Sequence, residues 1–129
     1  MLAIHSSTSS RSLRITREGP DHFQIALSDI PVSATSVVWT ETGDLASLVG
    51  FFATLAEQQR PWQGALTWAS LERDFKLAVT CSALGTIIFS VDLRGGQGAP
   101  EEWQITAGIE SELGQLARFA EDAAALLLD

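Results

Sequence analysis

Two runs of alternating apolar side chains within residues 75–93 limit this chain more than any other feature. A side-chain period of two is that of a β-strand with one buried face. A short turn at residues 82–85 divides the alternation into two strands, which predicts an antiparallel hairpin. The apolar set expected to face the core comprises Phe75, Leu77, Val79, Cys81, Ile87, Phe89, Val91 and Leu93.

The same pattern recurs at residues 13–16, 22–27, 35–40 and 103–109, which predicts four further strands. Residues 66–70 are ambiguous between a loop and a short strand. In the segments 35–40 and 103–109, the side chains expected to point inward are Thr35, Val37, Trp39, Trp103, Ile105, Ala107 and Ile109.

Two segments change to the helical period. The first is expected to begin with Thr42 or Asp44 as its N-cap, and the second with Ser111. The first apolar stripe comprises Leu45, Leu48, Val49, Phe52, Leu55 and Ala56. The second comprises Leu113, Leu116, Ala117, Ala120, Ala124 and Leu127.

These elements predict an α+β fold with a single antiparallel sheet of about six strands, in the order βββα-βββα. Two amphipathic helices packed on one face would cover the apolar side of that sheet and leave the other side open. Residues 1–10 are polar and are expected to form a loose tail, followed by one domain over residues 11–129.

The net charge of the chain limits the classes of molecule that it can bind. The formal net charge is −8, and residues after Arg17 hold all 16 acidic side chains against only five basic ones. Such a surface repels nucleic acid and anionic membranes, so a basic protein is the expected partner. Neither a signal peptide nor a membrane span is evident, which favours the cytoplasm.

Candidate catalytic groups are few. His5 lies in the expected tail, His22 follows a turn, and Cys81 faces the expected core, so no nucleophile and base are brought together. A single cysteine excludes an internal disulfide, and two scattered histidines give no metal-ligand spacing. The sequence therefore predicts neither an enzyme nor a cofactor or metal site.

The residues favoured for partner binding are acidic side chains in predicted turns and two tryptophans in the ambiguous segment. Exposed tryptophan commonly anchors a protein interface. The candidates are Glu72, Asp74, Glu101 and Glu102, with Trp62 or Trp68 as the anchor.

The pattern W-x-S-L-E-x-D-F-x-L at residues 68–77 is followed by GTIIFSVDLR, by WQITA and by a closing GQLARFAEDAAALL. Over about residues 35–128 this series resembles a family of small bacterial domains of unknown function, of actinobacterial type. The resemblance implies no catalytic residues. It implies a similarity in style to the immunity proteins of toxin systems.

We therefore expect a non-catalytic protein-binding module, and most specifically an immunity protein or antitoxin-like inhibitor that docks a basic partner. Two alternatives stay open. One is a secretion-type chaperone for an effector, and the other is an enzyme or small-ligand-binding domain with a pocket between helices and sheet. A homodimer through the open sheet face or an edge strand is also possible.

Overall fold

The computed structural model describes residues 1–30, 32–39 and 43–128, and its elements occur as four strands and a helix, twice. The first set is β1 (Leu2–His5), β2 (Ser12–Gly19), β3 (His22–Ser28), β4 (Ser33–Trp39) and α1 (Asp44–Ala56). The second set is β5 (Leu66–Ala69), β6 (Phe75–Cys81), β7 (Thr86–Gly95), β8 (Trp103–Glu112) and α2 (Leu116–Ala125). A 3-10 helix at Leu113–Gln115 leads into α2.

The strands form two antiparallel sheets of four strands each, so the predicted single sheet of about six strands is wrong. Sheet 1 has the order β1-β2-β3-β4 and sheet 2 the order β5-β6-β7-β8. Alternation identifies a strand but not its partner across a long connection. Here α1 separates β4 from β5, and no ladder joins them among the described residues. The α+β composition is as predicted.

Residues 1–10 were expected to be loose, yet they begin with β1. This strand pairs with β2, and Leu2 and Ile4 are fully buried. The serine-rich stretch that follows is the turn between the two strands, and Ser7 N–H donates to the Glu110 carbonyl of β8. A four-residue alternation beside a polar turn is too short a signal to distinguish from a tail.

One core joins both sheets and both helices. Phe89 of β7 contacts Phe52 of α1 and Phe119 of α2, with ring centroids 6.3 and 5.9 Å apart. The two helices also pack against each other, and α2 contacts β1. The helices therefore pack against the core faces of both sheets, and not on one face of a single sheet as predicted. The predicted inward face of residues 75–93 is confirmed, since all eight of its apolar side chains are buried.

Strand β4 presents the opposite face to the one predicted. Ser36 and Val38 are buried, whereas Thr35, Val37 and Trp39 are exposed. Both faces of this strand carry an apolar side chain, so the period of two does not decide which face the core takes. Thr40, expected on the outer face, lies outside the described residues.

The helix ends also differ from prediction. Gly43 with φ of 80° is the N-cap of α1, Asp44 is its first residue, and Thr42 lies outside the described residues. Ser111 belongs to β8 and is buried, because that strand continues to Glu112. The buried side of α2 also differs from the predicted one. It comprises Leu116, Phe119, Ala123 and, just beyond the helix, Leu126, while Ala117, Ala124 and Leu127 are exposed.

No helix in the described ranges is both long and apolar enough to cross a bilayer.

Arg11 links the two sheets. Its Nε donates to Asp29 at 2.8 Å, and its Nη1 donates to the Gly108 carbonyl of β8 at 2.7 Å. The hydrogen bond from Arg11, followed by one from the backbone N–H of Ile30, lowers the pKa of Asp29 from its ordinary value of 3.8. A carboxyl with a lowered folded pKa stabilises the fold above its unfolded pKa, and that contribution disappears as pH falls through the folded value.

We therefore expect Asp29→Asn to destabilise the protein near neutral pH and to have progressively less effect below about pH 4. Urea unfolding of both proteins at a series of pH values measures the difference. A difference that stays constant with pH, or that grows as the pH falls, contradicts this role of Asp29.

Candidate functional site

Both tryptophans favoured as anchors are half-buried and already bonded within the protein. Trp62 Nε1 donates to the Val79 carbonyl at 3.3 Å. Trp68 Nε1 donates to Ser47 Oγ at 3.0 Å, and its ring meets Phe75 edge-on at 5.3 Å. These indoles hold the segment before β6 against α1 and sheet 2.

The turn between β5 and β6 is held by its own side chains. Ser70 is almost fully buried, and its hydroxyl donates to the Asp74 carboxylate and accepts from the Phe75 N–H. At the start of α1, the Asp44 carboxylate accepts from the Leu71 N–H at 3.1 and 3.2 Å. Most of the W-x-S-L-E-x-D-F-x-L pattern is thus explained by the contacts that close this turn. Asp74, a predicted partner-binding residue, is hydrogen-bonded to Ser70 within the turn.

Asp44 is only 8% exposed, so we expect its loss to be costly. Asp44→Ala leaves the Leu71 N–H without its acceptor and removes a negative charge from the first turn of α1, at a cost of about 1–3 kcal/mol. Asp44→Asn keeps one acceptor oxygen and should cost less. Urea unfolding measures both. A cost for Asp44→Ala no greater than that for Glu121→Ala, an exposed acid on α2, contradicts this role.

A cleft of about 410 Å³ lies where the edge of sheet 1 approaches one end of sheet 2. Ser36 Oγ of β4 donates to the Arg94 carbonyl of β7 at 3.2 Å, which joins the two sheets there. Gln97 Nε2 donates to the Glu72 carbonyl at 3.1 Å, which joins the β7–β8 loop to the β5–β6 turn. The lining residues are Thr35, Ser36, Val37, Glu72, Asp74, Arg94, Gly95, Gly96, Gln97 and Trp103.

Glu101 and Glu102 lie beside this cleft, in the same loop as Gln97. Both are exposed, and a side chain placed at Gly96 would come within 3.7 Å of their backbone. The structure therefore places all four predicted acids in two neighbouring loops. We call this site, with Glu72, Asp74, Glu101 and Glu102, the acidic cleft.

Exposed apolar side chains adjoin the acidic cleft. Val37 is 43% exposed and lines it, and Leu71, 69% exposed, precedes Glu72 in the turn. Trp39 is 53% exposed and borders a smaller recess with Asp44, Glu72 and Asp74. We call Val37, Trp39 and Leu71 the Trp39 patch. The sequence prediction missed it because Trp39 was assigned to the core.

The groups considered for catalysis, His5, His22 and Cys81, lie on three different strands, β1, β3 and β6. Cys81 is buried on β6, and its thiol lies 3.4 Å from the Ser82 carbonyl. His22, on β3 in the other sheet, has Nδ1 2.9 Å from the Asp21 carboxylate and its ring against Trp39. Within the described ranges, no group of three His, Cys, Asp or Glu side chains could hold a metal ion.

Comparison with known protein families gives a match to the sequence of this chain. The sequence model of DUF6228, a family of unknown function, matches residues 5–129. The chain belongs to this family. The DUF6228 match confirms the resemblance to a domain family of unknown function. It begins at residue 5, so it also includes β2 and β3, which lie before the residues 35–128 that carried the resemblance. No curated protein matches the chain significantly.

Proposed function

We propose that this DUF6228 protein is a non-catalytic protein-binding module that docks a basic partner on the acidic cleft and the Trp39 patch. The observation that carries the proposal is Trp39, a half-exposed tryptophan beside the exposed carboxylate of Glu72. Aromatic anchors surrounded by polar side chains are the usual centre of a protein interface.

Charge supports a basic partner. Glu72, Glu101 and Glu102 are exposed on a protein of net charge −8. A negative surface steers a positive partner and raises the association rate, while the desolvated apolar contact slows dissociation. An acidic surface also repels a second copy of itself, which disfavours a homodimer through this site.

The finer form of the proposal is an immunity protein or antitoxin-like inhibitor, bacterial and cytoplasmic, that covers the active site of a basic toxin. Its support is the small acidic domain and the similarity in style of its actinobacterial-type motif. A secretion-type chaperone would use an extended effector segment as its partner.

The alternative of an enzyme or small-ligand-binding domain assumes a pocket between the helices and a sheet. Phe52, Phe89 and Phe119 occupy that position, which favours the protein-binding reading.

The test is binding to the product of the neighbouring reading frame, the first candidate for a toxin. We expect Trp39→Ala to weaken the complex by about thirtyfold and Glu72→Gln to weaken it several-fold, mainly through the association rate. Glu121→Gln, an equal charge change at an exposed position of α2, is the matched control. A neighbouring product that does not bind, or a complex that tolerates Trp39→Ala as well as it tolerates the control, overturns the proposal.

A further inference from the structure

The outer face of sheet 2, which points away from the core, contains a trough. Its floor is a row of small residues that are register partners on three neighbouring strands, Thr67, Ala78 and Ser90. The next row has longer side chains, Lys76 and Asp92, and the difference in height leaves a cavity of about 450 Å³.

The trough is positively charged on a negatively charged protein. Lys76, the only lysine of the chain, and Arg73 both line it, while Asp92 is its only acid. Arg73 has φ of 61°, a left-handed conformation that is rare for a residue with a side chain. Arg73 lines the trough, whereas Glu72 and Asp74 on either side of it line the acidic cleft.

The Asp92 carboxylate lies near three polar side chains and does not occupy all the hydrogen-bond donors of Lys76. Its Oδ2 accepts from Gln104 Nε2 at 2.9 Å and lies 3.7 Å from Lys76 Nζ. Its Oδ1 lies 3.8 Å from Arg94 Nε, and these two buried atoms have no hydrogen-bond partner among the described residues. Because 3.7 Å is too long for a hydrogen bond, the Lys76 ammonium keeps donors for another acceptor.

We propose that this trough binds a small organic anion, a carboxylate with a flat apolar body. The carboxylate would accept from Lys76 and Arg73. The apolar body would lie along Ala78 toward Ala69, which also lines the cavity. A concave site of this volume, lined mostly by short or apolar side chains with a few convergent polar groups, is typical of small-molecule sites.

The site is separate from the acidic cleft and does not depend on a protein partner. A ligand here could be bound with or without the complex. Failure of one proposal therefore leaves the other standing, and variants at Lys76 should leave binding of the basic partner unchanged.

The test uses 2-naphthoate as the probe and 2-naphthamide, its uncharged analogue, followed by amide chemical shifts in 1H–15N spectra. We expect naphthoate to shift the resonances of Thr67, Lys76 and Ser90, and the amide to bind about tenfold more weakly. Lys76→Gln should weaken naphthoate binding by about tenfold, whereas Arg60→Gln, the same charge change at an exposed site, should not.

Ser90→Leu fills the floor without changing the charge, and it should also reduce binding. Thermal unfolding of each variant verifies that it is folded. Absence of naphthoate binding to the wild type, shifts confined to other parts of the protein, or equal binding by wild type and Lys76→Gln would overturn the proposal.

Discussion

Replacing Phe89 by alanine is expected to lower the free energy of unfolding by about 3–5 kcal/mol. Phe89 is fully buried, and its ring contacts Phe52 of α1 and Phe119 of α2. The substitution leaves a cavity at the point where sheet 2 meets both helices, and rigid neighbours on three elements cannot collapse into it. Urea unfolding followed by tryptophan fluorescence and by circular dichroism measures the loss.

Phe51→Ala is the matched control, because this ring is only half-buried and borders the same cluster through Phe52. It should cost clearly less than Phe89→Ala. Because the core joins both sheets, the two probes should report one transition in each protein. Separate transitions for the two sheets, or a smaller cost at Phe89 than at Phe51, would contradict the single core.

Gly95→Ala is expected to cost about 1–3 kcal/mol. Gly95 and Trp103 are register partners, and a methyl group on Gly95 would overlap the indole ring of Trp103. The ring must move or β7 and β8 must separate at the wall of the acidic cleft. The variant should therefore also weaken binding of the basic partner.

Gly50→Ala provides the control for this glycine. It lies in α1 with open space around the added methyl group, so the same substitution should stabilise the protein by about 0.5–1 kcal/mol. Thermal or urea unfolding compares the two. Equal effects at both positions would show that the Trp103 ring does not restrict Gly95.

Alternation located six of the eight strands but missed β1 and left β5 ambiguous, and it did not give the place of each strand in a sheet. The hairpin of β6 and β7 has one apolar and one mainly polar face, so alternation fixed its buried side. For β4 the same argument failed, because Val37 and Val38 offer an apolar side chain to each face. The packing of one sheet against the other depends on contacts between distant segments, such as β1 with β8, and no local pattern encodes those.

The acidic residues of the candidate site could be chosen from the sequence, whereas its exposed tryptophan could not. Glu72, Glu101 and Glu102 follow from turn positions in an acidic chain, and the structure brings their loops together through Gln97. Trp39 could not be found, because its exposure depends on which face of β4 is buried. Trp62 and Trp68 bond to groups 17 and 21 residues away in the chain, which no spacing in the sequence reveals.

The central claim is that an acidic surface around Trp39 docks a basic protein, and the salt dependence of the association rate tests it most directly. We would measure association with the neighbouring gene product by stopped flow at ionic strengths of about 0.01 and 0.15 M, between which the screening length falls from about 30 to 8 Å. The account predicts a decrease of tenfold or more, on the order expected for electrostatic steering, and a smaller decrease for Glu72→Gln. An association rate that is the same at both ionic strengths would contradict it.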